Sequence, residues 1–208
     1  MPVRFPKIPV EFRLMATRPY DGDTMSRRQL LWFRHAAVRP DPATPARAWP
    51  LTPEAREEAL RLARSLPELL PPFSVVTSDE RKAVETAEAL CEVLGLGPAQ
   101  VCDGLREVDR PWTDGDYRSV AREYLRTGAS PGWEARDEVL SRISAALARY
   151  WRPEGTTIAV GHGLAISVWA ADAVESLDAV QFWENLTFPD AWLFAEDGAT
   201  LQRIAEPA

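Results

Sequence analysis

The chain has 208 residues, 46% of them hydrophobic, with 24 Lys and Arg against 31 Asp and Glu for a formal charge of −7. That length and apolar share suit one domain with a full core. The acidic balance excludes nucleic acid and anionic membrane as expected main partners, so an anionic ligand must be drawn in by a local cluster of basic side chains.

Cys91 and Cys102 stand in no metal-like or redox-like spacing, which fits a reducing, cytoplasmic setting better than a disulfide framework. Residues 1–28 are punctuated by Pro and Arg and hold no apolar stretch long enough for a signal peptide or membrane helix. We expect them to form a loosely ordered extension, with Met25 as an alternative start, and place a single domain over 29–208.

Periodic structure starts at about Gln29 with the apolar run LLWFRH, which closes on Arg34 and His35. A Pro-rich loop over 39–50 leads to a helix at LTPEAREEALRLARSL. Thr52 is its N-cap, Pro53 its first residue, and Ala55, Ala59, Leu62 and Leu66 form its apolar stripe. FSVVTS reads as a second strand. The helix after it carries Ala83, Ala87, Leu90 and Leu94 on one side and stops at Gly95, and QVCDG is a short third strand. Residues 105–131 are irregular and charged, and a small cap is expected around 105–133. A long helix over 134–151 aligns Val139, Ile143, Ala146 and Tyr150. TTIAVGHG is a further strand, ending at His162 between two glycines. Helical segments span 165–186, and WLFAE and TLQRIA form a closing hairpin through Asp197-Gly198.

This alternation predicts a three-layer α/β fold, with a mostly parallel central sheet and helices on both faces. Ligands of such sheets bind beyond the carboxyl ends of the strands. Both histidines of the chain stand at such ends, 127 positions apart, and so face one site.

Four units carry chemistry. Arg34-His35 leaves the first strand. In SDERKAVETA, Ser78 is read as a helix N-cap and Arg81 as a residue of the first turn. A cation there opposes the helix dipole, a conflict that a bound anion resolves. Gly161 and Gly163 let the backbone turn sharply and a ligand approach His162 closely. Glu107, in LREVDR, is a candidate general acid, with Asp109 as its competitor. The histidines lack the i, i+4 spacing of a metal pair.

In this order the units resemble the histidine phosphatase superfamily, the phosphoglycerate-mutase-like group. Arg34-His35 matches its R-H-G motif, LTPEA its helix start and Ser78 to Ala87 its S-x-x-R-x-x-x-T-A stretch. Leu105-Arg106-Glu107 matches the acid-bearing segment, and Gly161-His162-Gly163 the second histidine. The resemblance implies that His35 attacks phosphorus and carries the phosphoryl group, that Arg34, Arg81 and His162 bind its oxygens, and that Glu107 protonates the leaving oxygen. It implies a small phosphorylated metabolite as substrate, and neither metal nor cofactor.

Three departures qualify it. Ala36 replaces the usual Gly and adds a methyl expected close to the phosphate. Asp41 lies near a place where many members have Asn. VDRPWTDGDY replaces the mutase segment rich in Tyr and Gly, which favours a phosphatase over a glycerate phosphomutase. Trp112, Trp133 and Arg110 are candidates for the wall that meets the leaving group. Two alternatives remain: a protein phosphohistidine phosphatase, and a phosphate-binding domain without turnover. No G-x-S-x-G elbow supports a serine hydrolase.

Overall fold

A computed structural model describes residues 28–66, 69, 71–113, 115–195 and 201–204. The expectations for 1–27, Met25 included, and for the Asp197-Gly198 turn lie outside the described residues. Arg28, assigned to the extension from sequence, already opens the first strand, β1 (Arg28–Arg34).

Among the described residues, six strands form one sheet. The others are β2 (Phe73–Thr77), β3 (Gln100–Val101), β4 (Gly155–Gly161), β5 (Asp190–Ala195) and β6 (Leu201–Arg203), in the order β3-β2-β4-β1-β5-β6. The first four are mutually parallel, β5 runs against β1, and β6 runs against β5. This is the mostly parallel α/β sheet that the alternation predicts. Every residue of β4 is buried, as a central parallel strand covered on both faces requires.

Alternate side chains divide the core. Leu31, Phe33, Val75, Ile158 and Val160 face the helices α1 (Pro53–Arg64) and α2 (Arg81–Leu94). Leu30, Trp32, Val76 and Ala159 face the opposite layer. That layer comprises α3 (Tyr117–Thr127), α4 (Arg136–Tyr150), α5 (Gly163–Ala173) and α6 (Ala179–Asn185). The period of two in the strands thus supplies both halves of the core. Among the described residues, no helix is long and apolar enough to cross a membrane.

The predicted N-cap of α1 forms, with Thr52 accepting from the Ala55 amide at 3.2 Å. The stretch expected to be irregular contains α3. Its apolar stripe is narrow, Ala121, Tyr124 and Leu125, and the intervening arginines and glutamate hide its period in the sequence. Asp116 caps it, accepting from the Ser119 amide at 3.1 Å. The third strand is shorter than QVCDG suggests. Its last residues turn into a short 3-10 helix over 103–105 that leads to Glu107.

Candidate active site

The ladder between β1 and β4 pairs Arg34 with Gly161, so the residues that follow leave the sheet side by side. These are His35 and His162, with ring centroids 5.1 Å apart. On the other side of β4, Thr77 pairs with Val160. The Ser78 amide then donates to the Val160 carbonyl at 2.9 Å, which brings the Ser78 hydroxyl within 2.9 Å of His162 Nε2. Three strand ends therefore meet at one point.

His35 Nδ1 lies 2.7 Å from the Ala36 carbonyl oxygen. A carbonyl only accepts, so Nδ1 carries the hydrogen and Nε2 keeps its lone pair. Burial, and then the neighbouring His162, Lys82 and Arg34, push the His35 pKa well below its usual value. The ring is therefore neutral at pH 7. The turn after it is pinned by the Ala36 amide, which donates to Thr86 Oγ1 at 3.1 Å. His162 is fully buried and likewise held well below its usual pKa, first by burial and then by Lys82. Its Nδ1 has no hydrogen-bond partner among the described residues.

Arg34 lies over the Phe188 ring at 3.5 Å and donates to the Thr187 carbonyl at 3.1 Å. Its Nε is buried with no hydrogen-bond partner among the described residues. Burial lowers its pKa to about 10, against the pull of Glu107 and Asp190, so it stays cationic. The Thr187 turn is held in place by Asp190, which accepts from the Thr187 amide and pairs with Arg203.

The glycines around His162 act by close packing. A Cβ on Gly161 would come within 2.7 Å of the Trp32 ring, and one on Gly163 within 2.9 Å of the Arg34 guanidinium. Neither has a positive φ, so the sharp turn expected from the sequence is not their reason.

Glu107 sits at the start of α5. Its Oε1 accepts from the Val108 and Ala165 amides, both at 2.9 Å, and its Oε2 from the Leu164 amide at 3.2 Å. One lone-pair direction of Oε2 stays open. The loop is fixed from behind by Arg142, which donates to the carbonyls of Gly104, Arg106 and Glu107 and to Glu134. Asp109, the competing acid, is exposed, and its amide is bound by Glu134.

The cation on α2 differs from expectation. Arg81 points outward with 57% of its side chain exposed, and its Nε donates to Glu85 at 2.7 Å. It is not in the site. Its neighbour Lys82 is buried and acts electrostatically on both histidines. The cause is helix phase. Lys82 shares a stripe with Thr86 and Leu90, which are buried, whereas Arg81 shares one with Glu85 and Glu88. Ser78 is not the N-cap either. That position belongs to Glu80, whose amide donates to Ser78 Oγ at 3.2 Å.

Glu80 is a residue that sequence reasoning passed over. Its Oε2 pairs with Lys82 Nζ, its Oε1 accepts from the Glu107 amide at 2.8 Å, and Oε1 lies 3.7 Å from His162 Nε2. Burial pushes its pKa up, but Lys82 and these hydrogen bonds outweigh that and hold it below the usual value.

Ala36 is fully buried and packs among Ala55, Ala59, Leu60 and Ala89. Asp41 closes its own turn, accepting from the Ala43 amide and the Thr44 hydroxyl.

At the mouth, Phe188 is 42% exposed, with its ring centroid 5.2 Å from that of His35. Trp112 is 52% exposed and meets Trp49 edge-on. Trp133 instead packs against Tyr117 and Tyr124, and Arg110 lies over the Tyr117 and Trp133 rings. Tyr117, contributed by the unforeseen α3, has its pKa pushed up to about 12 by burial and is neutral.

The family model described as histidine phosphatase superfamily (branch 1) matches residues 30–191. Among curated proteins, none matches the sequence. Solved structures of similar shape include a mycobacterial hydrolase, 24% identical with a TM-score of 0.63, covering 88% of this chain and 99% of the other. A mycobacterial glucosyl-3-phosphoglycerate phosphatase is 21% identical with a TM-score of 0.62 and the same coverage. A phosphoglycerate mutase from Bacillus anthracis is 18% identical with a TM-score of 0.63, covering 86% of this chain and 92% of the other. At these identities the likeness is one of fold.

Proposed function

The chain belongs to the histidine phosphatase superfamily, and from that premise we propose that it is a metal-independent phosphatase of phosphomonoesters that works through a phosphohistidine on His35. The observation that carries this reading is the His35 ring. It is neutral, its Nδ1 hydrogen is tied to Ala36, and its bare Nε2 stands beside two buried cations.

In the proposed first step Nε2 attacks phosphorus and forms the N–P bond as the ester P–O bond breaks, and the leaving oxygen takes a proton from Glu107 Oε2. Water then attacks phosphorus and breaks the N–P bond, returning its proton to Glu107 and releasing phosphate. Arg34, Lys82 and His162 would hold the three non-bridging oxygens, where the charge of the transition state collects. Lys82 takes the role that the family resemblance implies for Arg81. Arg34 Nε and His162 Nδ1, buried and without a partner among the described residues, support an anionic ligand, because buried polar atoms are normally partnered. A small phosphorylated metabolite remains the proposed substrate and the cytoplasm the proposed location.

The test is phosphate release from p-nitrophenyl phosphate in excess EDTA, wild type beside His35→Ala. Turnover that survives chelation and disappears in the variant is expected. A wild type that binds phosphate without hydrolysing the ester would instead make the chain a binding domain.

A further inference from the structure

The mechanism above uses two cations and leaves one buried charge unexplained, the carboxylate of Glu80. An acidic side chain at a helix N-terminus complements the dipole of that helix, yet Glu80 makes no side-chain cap. It is turned into the site instead. There it pairs with Lys82, accepts the Glu107 amide and stands 3.7 Å from His162. Lys82 has three N–H donors. One goes to Glu80 and one to the Ala46 carbonyl at 2.9 Å, which leaves one for a ligand.

Resting on the phosphatase reading, we propose that Glu80 is a resident counter-charge of the phosphate subsite, which weakens the hold on doubly charged phosphate and selects esters whose leaving group carries no second anion. Two facts set its direction. First, a carboxylate within one shell of His162 and bonded to Lys82 repels the oxygens that those groups would bind. Second, both histidines are neutral and the buried cations beside them are Arg34 and Lys82, of which Lys82 is already matched by Glu80. The mouth agrees, since the exposed group beside His35 is the apolar Phe188 ring. Hydrolysis makes inorganic phosphate the last species to leave, and a site with less net positive charge lets it go sooner.

The experiment is calorimetric titration of inorganic phosphate at pH 8 into wild type, Glu80→Gln and Glu80→Asp. Gln keeps the size and an accepting oxygen but removes the charge. Glu80→Gln should tighten Kd on the order of tenfold, while Glu80→Asp, which retains the charge, stays within about twofold of wild type. Unchanged or weaker binding in Glu80→Gln overturns the proposal and makes Glu80 a mere strut for Lys82. Tightening in both variants overturns it too, because charge is then not the cause. If neither wild type nor variant binds phosphate, this inference and the phosphatase reading fall together.

Discussion

Replacing Lys82 by Gln removes the α2 cation that faces the histidines, while replacing Arg81 by Gln removes one that faces water. The two positions are adjacent in sequence and differ in phase by about 100° around a helix, so the pair isolates geometry from composition. A hydrogen bond from a charged donor to the transferring group contributes about 1.5–3 kcal/mol, which corresponds to about 10- to 150-fold in rate. Lys82→Gln should therefore lower kcat/KM for p-nitrophenyl phosphate within that range. Arg81 holds an exposed i, i+4 pair with Glu85, a type of contact worth about 0–1 kcal/mol to stability and nothing to a step it does not touch. Arg81→Gln should leave kcat/KM within about twofold. Loss of Lys82 also strands Glu80, and breaking a buried pair costs about 3–5 kcal/mol of stability. Assays therefore belong well below the melting temperature of each variant, measured by circular dichroism. A folded Lys82→Gln enzyme with wild-type kcat/KM, or an Arg81→Gln enzyme slowed tens of fold, would refute the placement.

Two further predictions concern stability. His35 and His162 are held well below their usual pKa when folded, and both titrate near 6.5 when unfolded. As pH falls from about 6.5 towards 5 the unfolded chain binds protons that the folded one refuses, so stability drops by up to about 1.4 kcal/mol per pH unit for each histidine. Urea melts across that window should show the slope, and His35→Gln should remove one histidine's share; an unchanged slope in the variant would count against the buried neutral ring. Ala36→Gly, the change towards the family motif, should cost about 1–2 kcal/mol through the lost buried methyl and the freer unfolded chain. Its kcat/KM should stay within about twofold. A marked gain in rate would mean that the methyl does meet the ligand.

The alternation of strands and helices was readable because its long apolar runs and i, i+4 stripes persist over many residues. So were the two histidines, since a strand end is marked by the loss of its apolar run. Helix α3 was hidden because only Ala121, Tyr124 and Leu125 are buried in it. The choice between Arg81 and Lys82 was open to sequence reasoning: Lys82 precedes Thr86 and Leu90 by one and two helical repeats and so joins the stripe that reaches Leu90, whereas Glu85 and Glu88, on the side of Arg81, mark the wet face. Reading Ser78 as the cap obscured it. Phe188 and Glu80 carry no local signal, because their roles depend on which strand end lies next to which. The burial of the Ala36 methyl is equally unreadable, since it depends on the seam between α1 and α2.

The order of the sheet has a consequence for how this chain is made. On one edge β1 pairs with β4, on the other with β5, and both partners lie beyond residue 150. A ribosome that has synthesised the first half of the protein has released Leu30, Leu31, Trp32 and Phe33 with neither neighbour available. Such a run, apolar and open on two edges, invites intermolecular pairing. Nascent chains should thus depend on crowding and chaperone capacity until β4 slots between β2 and β1. That same insertion brings the second histidine to the first, so the two rings meet only once β4 is in place.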